Sequence, residues 1–289
     1  MAVRRIALPP GYRKQDVLAF HSRDAEGIAE QVTQERLRKA VLLGGTPVLL
    51  DVTFGDAEAV CEVASDCALD AAQEAMVDDA LLNILGLRID PDRFLEFARA
   101  DPVLGPLARR HAGLRIVQSA TVFEALTWAV IGQQINLTFA IALRRTFIQQ
   151  AGRAHSGGLL CYPEAADVAR LDVEDLTTRK FSRSKAETLI RLATLVAEGG
   201  LSLERTGDVE RTSAALLAVK GIGPWTVNYA LLRGFGYGDC SLHGDVAVRS
   251  ALQKLLGTAE KPSIAEAERW LAGYAPHRTM VAAHLWASL

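Results

Sequence analysis

The tetrapeptide Gly221-Ile222-Gly223-Pro224 constrains this chain more than any other stretch. Before it, Asp208 opens a run whose apolar positions, Ala214, Leu216 and Leu217, read as a helix. The glycines break that run. Pro224 then restarts a helix at the first helical position, where its missing N–H costs nothing. The predicted result is helix, tight glycine hairpin, helix. A loop bearing Gly234, Gly236 and Gly238 leads on to Asp245, which stands just before the amphipathic run V-A-V-R-S-A-L-Q-K-L-L. Two glycines let a backbone come close to a ligand, and the free N–H groups at the start of the second helix point at an anion. Such a hairpin holds a nucleic-acid backbone without reading bases. The same residues also suit an ordinary αα-hairpin whose glycines only make a turn.

Wider context narrows the choice. Around the hairpin the chain reads L-L-A-V-K-G-I-G-P-W-T-V-N-Y, with Asp245 downstream. Upstream, Ala129 to Ile135 reads A-V-I-G-Q-Q-I, and Ser184-Lys185-Ala186-Glu187 and the run from Arg278 to Trp286 follow in order. These motifs resemble the helix-hairpin-helix DNA glycosylases with a Gly/Pro-rich loop and a catalytic aspartate, in particular the bacterial 3-methyladenine DNA glycosylase II type. The resemblance extends over nearly the whole chain, weakly in the N-terminal third. It implies a base excision repair enzyme that flips a damaged base out of the duplex and hydrolyses its N-glycosidic bond. Its partner would be double-stranded DNA containing damaged bases, and the protein a monomer. Two alternatives stay open: the same fold acting on another lesion such as hypoxanthine, and a non-catalytic hairpin module that binds duplex DNA.

Read alone, Asp245 is a helix N-cap. The resemblance makes it the essential carboxylate, whose charge stabilises an oxocarbenium-like sugar and orients or deprotonates the attacking water. Asp239 is a nearby rival that does not match the motif. In strand-cleaving relatives a lysine nucleophile stands where this chain has Trp225, and a tryptophan cannot form an imine. The implied enzyme is therefore monofunctional. Trp225 and Tyr229, four apart on one helical face, read either as packed core aromatics or as walls for a flipped cationic base. The resemblance adds His277 to that base pocket.

For contacts to DNA the resemblance implies Gln133, Gln134, Lys220, Gly221, Ile222, Gly223 and Thr226. Lys220 also reads as a plain solvent contact. The chain departs from the pattern where Gln134 replaces an apolar wedge, His277 an aromatic residue and His243 a proline. No cofactor is required. The resemblance implies a structural monovalent cation at the hairpin, held by the backbone carbonyls of Leu217, Val219 and Ile222. An iron–sulfur cluster would need four closely spaced C-terminal cysteines, and Cys240 alone follows Cys161.

Composition sets the outer limits. Among 289 residues 49% are hydrophobic, enough for a sizeable core, and the formal net charge is −2. That balance argues against a protein that coats nucleic acid electrostatically, leaving a small basic footprint at most. Cys61, Cys67, Cys161 and Cys240 are too scattered for a disulfide framework. No apolar run approaches the ~20 residues that span a bilayer, and M-A-V-R-R-I-A-L-P-P is short for a secretory signal. The expected location is cytoplasmic, with activity at the nucleoid and not at a membrane.

The expected fold is α+β, mostly helical, with a small N-terminal α/β domain over residues 1–88, which the resemblance places away from the chemistry. Val48 to Phe54 reads as a strand, preceded by Lys39 to Leu43 and a Gly44-Gly45 turn, while Glu58 to Ala64 suits strand or helix. A helix begins at Ala71 and closes at Gly86. After Asp90-Pro91 the pattern is helical throughout. The resemblance implies a helical domain with the hairpin over residues 112–231, and a second helical subdomain, carrying Asp245, over residues 89–111 and 232–289.

Overall fold

The computed structural model describes residues 2–205 and 208–289. A five-stranded antiparallel sheet opens the chain, in the order β1 (Ala2–Ala7), β5 (Glu58–Ser65), β4 (Thr46–Phe54), β3 (Arg36–Leu43), β2 (Glu30–Val32). Helix α1 (Lys14–His21) and helix α2 (Ala71–Ile84) cover one face. The ambiguous Glu58 segment is thus a strand, paired with both β1 and β4. Strand β1 and helix α1 lie in stretches for which the sequence alone raised no expectation of an element.

Alternation along β3 explains how the sheet joins the rest. Leu37, Val41 and Leu43 point to the helix-covered face, whereas Ala40 and Leu42 pack under Leu159 and Cys161. Buried on both faces, β3 also carries Lys39 into the interior, where a charge must find partners.

The larger part is helical: α3 (Pro91–Ala98), α4 (Leu104–Arg110), α5 (Val122–Gly132), α6 (Leu137–Ala151), the short α7 (Ala165–Val168) and α8 (Val173–Thr177), then α9 (Arg183–Ala197), α10 (Val209–Leu217), α11 (Pro224–Ala230), α12 (Val246–Leu256), α13 (Ile264–Ala272) and α14 (Arg278–Ala287). Their starts follow capping chemistry. Thr121 accepts from the Glu124 N–H at 3.1 Å, Asn136 from Phe139 at 2.9 Å and Asp208 from Arg211 at 2.9 Å. This α+β architecture is the one expected.

One element differs from expectation. The glycine-bearing stretch after Ala230 begins as a π-helical turn, Leu231–Phe235, that continues α11 and ends at Gly236 in the left-handed region (φ +73°). A π turn misaligns backbone carbonyls and needs outside donors. Gln118 Nε2 supplies Leu232 O at 3.2 Å, the Ser119 N–H supplies Arg233 O at 2.9 Å, and Arg205 supplies Gly234 O at 2.7 Å.

Candidate active site

Asp245 caps α12, and its carboxylate accepts three hydrogen bonds. Oδ1 takes the Val248 N–H at 2.9 Å and the Trp286 indole N–H at 3.2 Å, while Oδ2 takes the Trp225 indole N–H at 2.9 Å. The N-cap and the candidate functional carboxylate are thus one group, held by a helix start and by indoles from α11 and α14. Asp239 is spoken for elsewhere: Arg278 grips both its oxygens at 2.7 Å. Burial alone would raise the Asp239 carboxyl, but these bonds hold it below the usual carboxylate range.

Trp225 and Tyr229 stand one turn apart with ring centroids 5.3 Å from each other. Trp128, from α5, donates its indole N–H to the Tyr229 hydroxyl at 2.9 Å. These three rings, Trp286 and Asp245 surround a cavity of about 420 Å³, a size suited to a small planar ligand. Two guanidiniums also line it. Arg233 comes from the π turn, and Arg23 from the segment just after α1. Asp24, beside it, is anchored to Arg145 of α6 at 3.0 Å, which fixes that segment against the helical lobe. The N-terminal domain therefore reaches the candidate site, contrary to the expectation that it lies away from the chemistry.

His277 is not among the residues that line this cavity. Its position at the head of α14 turns the ring onto α3, 4.7 Å from Phe97 and 6.2 Å from Phe94 between centroids. Trp286, further along the same helix, takes the place expected of it. Trp128, Arg23, Arg233 and Trp286 were all missed as lining residues. One signal was readable for the tryptophans, since a buried indole needs an acceptor for its N–H. Nothing local marks either arginine.

The α5–α6 corner and the hairpin are tied together. Gln133 Nε2 donates to Gly221 O at 3.0 Å and to Thr226 Oγ1 at 2.9 Å, so both side chains are committed inside the protein, and Thr226 is buried. Lys185 braces the same corner by donating to Ile131 O at 2.6 Å. Gln134 is exposed at the tip with φ +55°, a left-handed backbone that only a few non-glycine residues adopt. Lys220 is exposed and Ile222 buried.

The two hairpin glycines have different reasons. Gly221 sits at φ +98°, and a Cβ there would fall 2.1 Å from Thr188 Oγ1. Gly223 caps α11 with φ −108°, and a Cβ on it would meet nothing within 4 Å. Gly221→Ala should therefore destabilise the fold by about 2–5 kcal/mol, from the left-handed backbone and the overlap together. Gly223→Ala should cost less than about 1 kcal/mol. Chemical denaturation of the two variants side by side checks the contrast.

A sequence model described as the HhH-GPD superfamily base excision DNA repair protein matches residues 127–276, just over half of the chain. The chain belongs to the HhH-GPD superfamily. The HhH-GPD match takes in the corner, the hairpin, Arg233 and Asp245, and leaves Arg23 and Trp286 outside. A Bacillus subtilis protein named DNA-3-methyladenine glycosylase is 36% identical over 175 residues, covering 59% of this chain and 58% of that protein. DNA-3-methyladenine glycosylase 2 of Escherichia coli is 31% identical over 185 residues, covering 63% of each. The chain thus spans about three fifths of the length of these curated relatives. Among solved structures, a 3-methyladenine DNA glycosylase from Archaeoglobus fulgidus superposes with a TM-score of 0.83 at 23% identity, over 98% of this chain and 97% of that one. The HhH-GPD fold with its N-terminal sheet is therefore common to both.

Proposed function

We propose that this protein is a monofunctional DNA glycosylase that excises alkylated purines, such as 3-methyladenine, and leaves an abasic site. The observation that carries the reading is a single carboxylate, Asp245, set at the edge of an aromatic cavity and aligned by two indole N–H groups and a helix start. A flipped purine between Trp225, Tyr229 and Trp286 would place its sugar beside that carboxylate. An N-alkylated purine is cationic, so aromatic faces attract it and it leaves with little need for an acid. Asp245 would stabilise positive charge on the sugar while water adds to C1′. The names of the Bacillus and Escherichia relatives support the same substrate class.

For DNA, the N–H groups of Gly223, Trp225 and Thr226 have no hydrogen-bond partner among the described residues, which leaves them available to a backbone phosphate. Thr226 would contribute through its backbone, since its hydroxyl serves Gln133. Lys220 would add charge. Gln134, at the strained tip, would enter the gap left by the flipped nucleotide, and Gln133 would hold corner and hairpin in register. The carbonyls of Leu217 and Ile222 accept no bond among the described residues, and Val219 O accepts one from the Ile222 N–H at 3.0 Å. These hard oxygen donors suit a monovalent cation beside the phosphate. Activity at the bacterial nucleoid, as a monomer, goes with this reading.

Methylated duplex DNA tests it. The expected result is release of 3-methyladenine, with strand breaks only after alkali and no borohydride-trapped protein–DNA adduct. Tight binding without base release would overturn the enzyme reading in favour of a DNA-binding module.

A further inference from the structure

One side of the cavity carries two guanidiniums that share a phenyl ring. Arg23 lies 4.2 Å and Arg233 4.9 Å from the centre of the Phe20 ring, and Arg233 also lies 5.5 Å from the Trp286 ring. Neither arginine is paired with a carboxylate among the described residues. Arg233 spends one NH group on Val117 O, while its Nε, shielded from solvent, has no partner there. Burial pushes Arg233 down, to about 10, so it still carries its charge at neutral pH. An unpaired cation with its head buried, as in Arg233, is expensive, and an aliphatic side chain would serve packing better there. The carboxylate on the cavity, Asp245, is already committed to two indoles and a helix cap.

We infer that Arg233, seconded by Arg23, stabilises the electron pair that leaves with the base, and thereby ranks lesions by their charge. The inference rests on the glycosylase reading. When the glycosidic C–N bond breaks, its electron pair passes to the base and positive charge appears on the sugar, where water oxygen bonds to C1′ and gives up a proton. The site then has two poles, Asp245 for the sugar and the guanidiniums for the base. An alkylated purine goes from cation to neutral molecule. The guanidiniums oppose its entry and that opposition vanishes as the bond breaks, so they raise the maximal rate and weaken binding together. A neutral purine lesion such as hypoxanthine leaves as an anion and then takes up the proton that the attacking water released. The guanidiniums do not oppose its entry, and they stabilise its departure outright.

The test is single-turnover release of hypoxanthine and of 7-methylguanine, a cationic lesion, from otherwise identical duplexes by the parent, Arg233→Met, Arg233→Lys and Arg23→Met. Arg233→Met should lower the hypoxanthine to 7-methylguanine ratio of kcat/KM by about tenfold or more. For 7-methylguanine the maximal rate and the half-saturating enzyme concentration should fall together. Arg233→Lys should restore most of the ratio. Arg23→Met, at an exposed position that folding tolerates, should move it the same way by a smaller factor. An unchanged ratio in both methionine variants overturns the inference alone, as does release of 7-methylguanine with no hypoxanthine by the parent. Release of neither base by the parent overturns the glycosylase reading and this inference with it.

Discussion

Replacing Asp245 with asparagine will leave duplex binding intact and slow base release by about 10³-fold or more. Asparagine is as good a helix cap as aspartate, so Val248 keeps its acceptor and α12 keeps its start. What disappears is the negative charge beside the sugar. With the amide oxygen kept on Val248 and Trp286, the NH₂ takes the place of Oδ2 and faces the Trp225 indole N–H, and that donor–donor contact should cost about 1–3 kcal/mol of stability. Asp245→Ala loses the cap as well, so it should fall further in stability without falling further in rate. Rates under single turnover, duplex affinity by anisotropy and denaturant midpoints separate these effects. An asparagine variant retaining a tenth of the parental rate would show that the carboxylate only caps a helix.

Lys39→Met will destabilise the fold by about 3–5 kcal/mol, the usual result of breaking a buried ion cluster. Lys39 on β3 bonds Glu30 of β2 and, at 2.8 Å, Glu124 of α5; Arg144 of α6 reaches Glu124 at 2.8 Å and Glu30 at 3.3 Å. Two cations and two carboxylates balance in a site largely shielded from water, and the lysine's removal leaves a carboxylate uncompensated. Neutralising both members in Lys39→Met/Glu124→Met should recover much of the loss, a coupling readable from the double-mutant cycle.

The same cluster sets a pH dependence. Burial alone would raise Glu30, but Arg144, then Lys39 and the His21 contact, outweigh it and hold the carboxyl well below its usual value. Glu124 is likewise lowered, with Lys39 and Arg144 overcoming its burial. For depressed carboxylates the stabilisation is complete above their unfolded value, about 4.5, and is lost as pH falls through the folded values. The parent's denaturation midpoint should therefore drop on acidification below about pH 4.5, and the Lys39→Met/Glu124→Met variant should drop less steeply.

This cluster and the cavity beside Asp245 differ in how far the sequence showed them. Strand β4, helix α2 and the helices on either side of the hairpin were legible because apolar spacing and capping residues act within a few positions. The hairpin, Asp245, Trp225 and Tyr229 could be singled out for the same reason, since they lie within one short stretch. The π turn at Leu231–Phe235 was not legible, because it depends on Gln118, Ser119 and Arg205, far away in the chain. His277 and Trp286 share one helix, and nothing in its composition says which of them meets Asp245.

By itself, then, the sequence determined the α+β class, the helix-hairpin-helix and the carboxylate at the head of α12, all set by local backbone chemistry. Only the tertiary structure decided what faces that carboxylate. The packing of α14 brought Trp286 to Asp245 and sent His277 to Phe97, and the docking of α1 on the helical lobe delivered Arg23. A cavity is the space between elements distant in sequence. Its walls follow from how those elements pack, which no single window of residues contains.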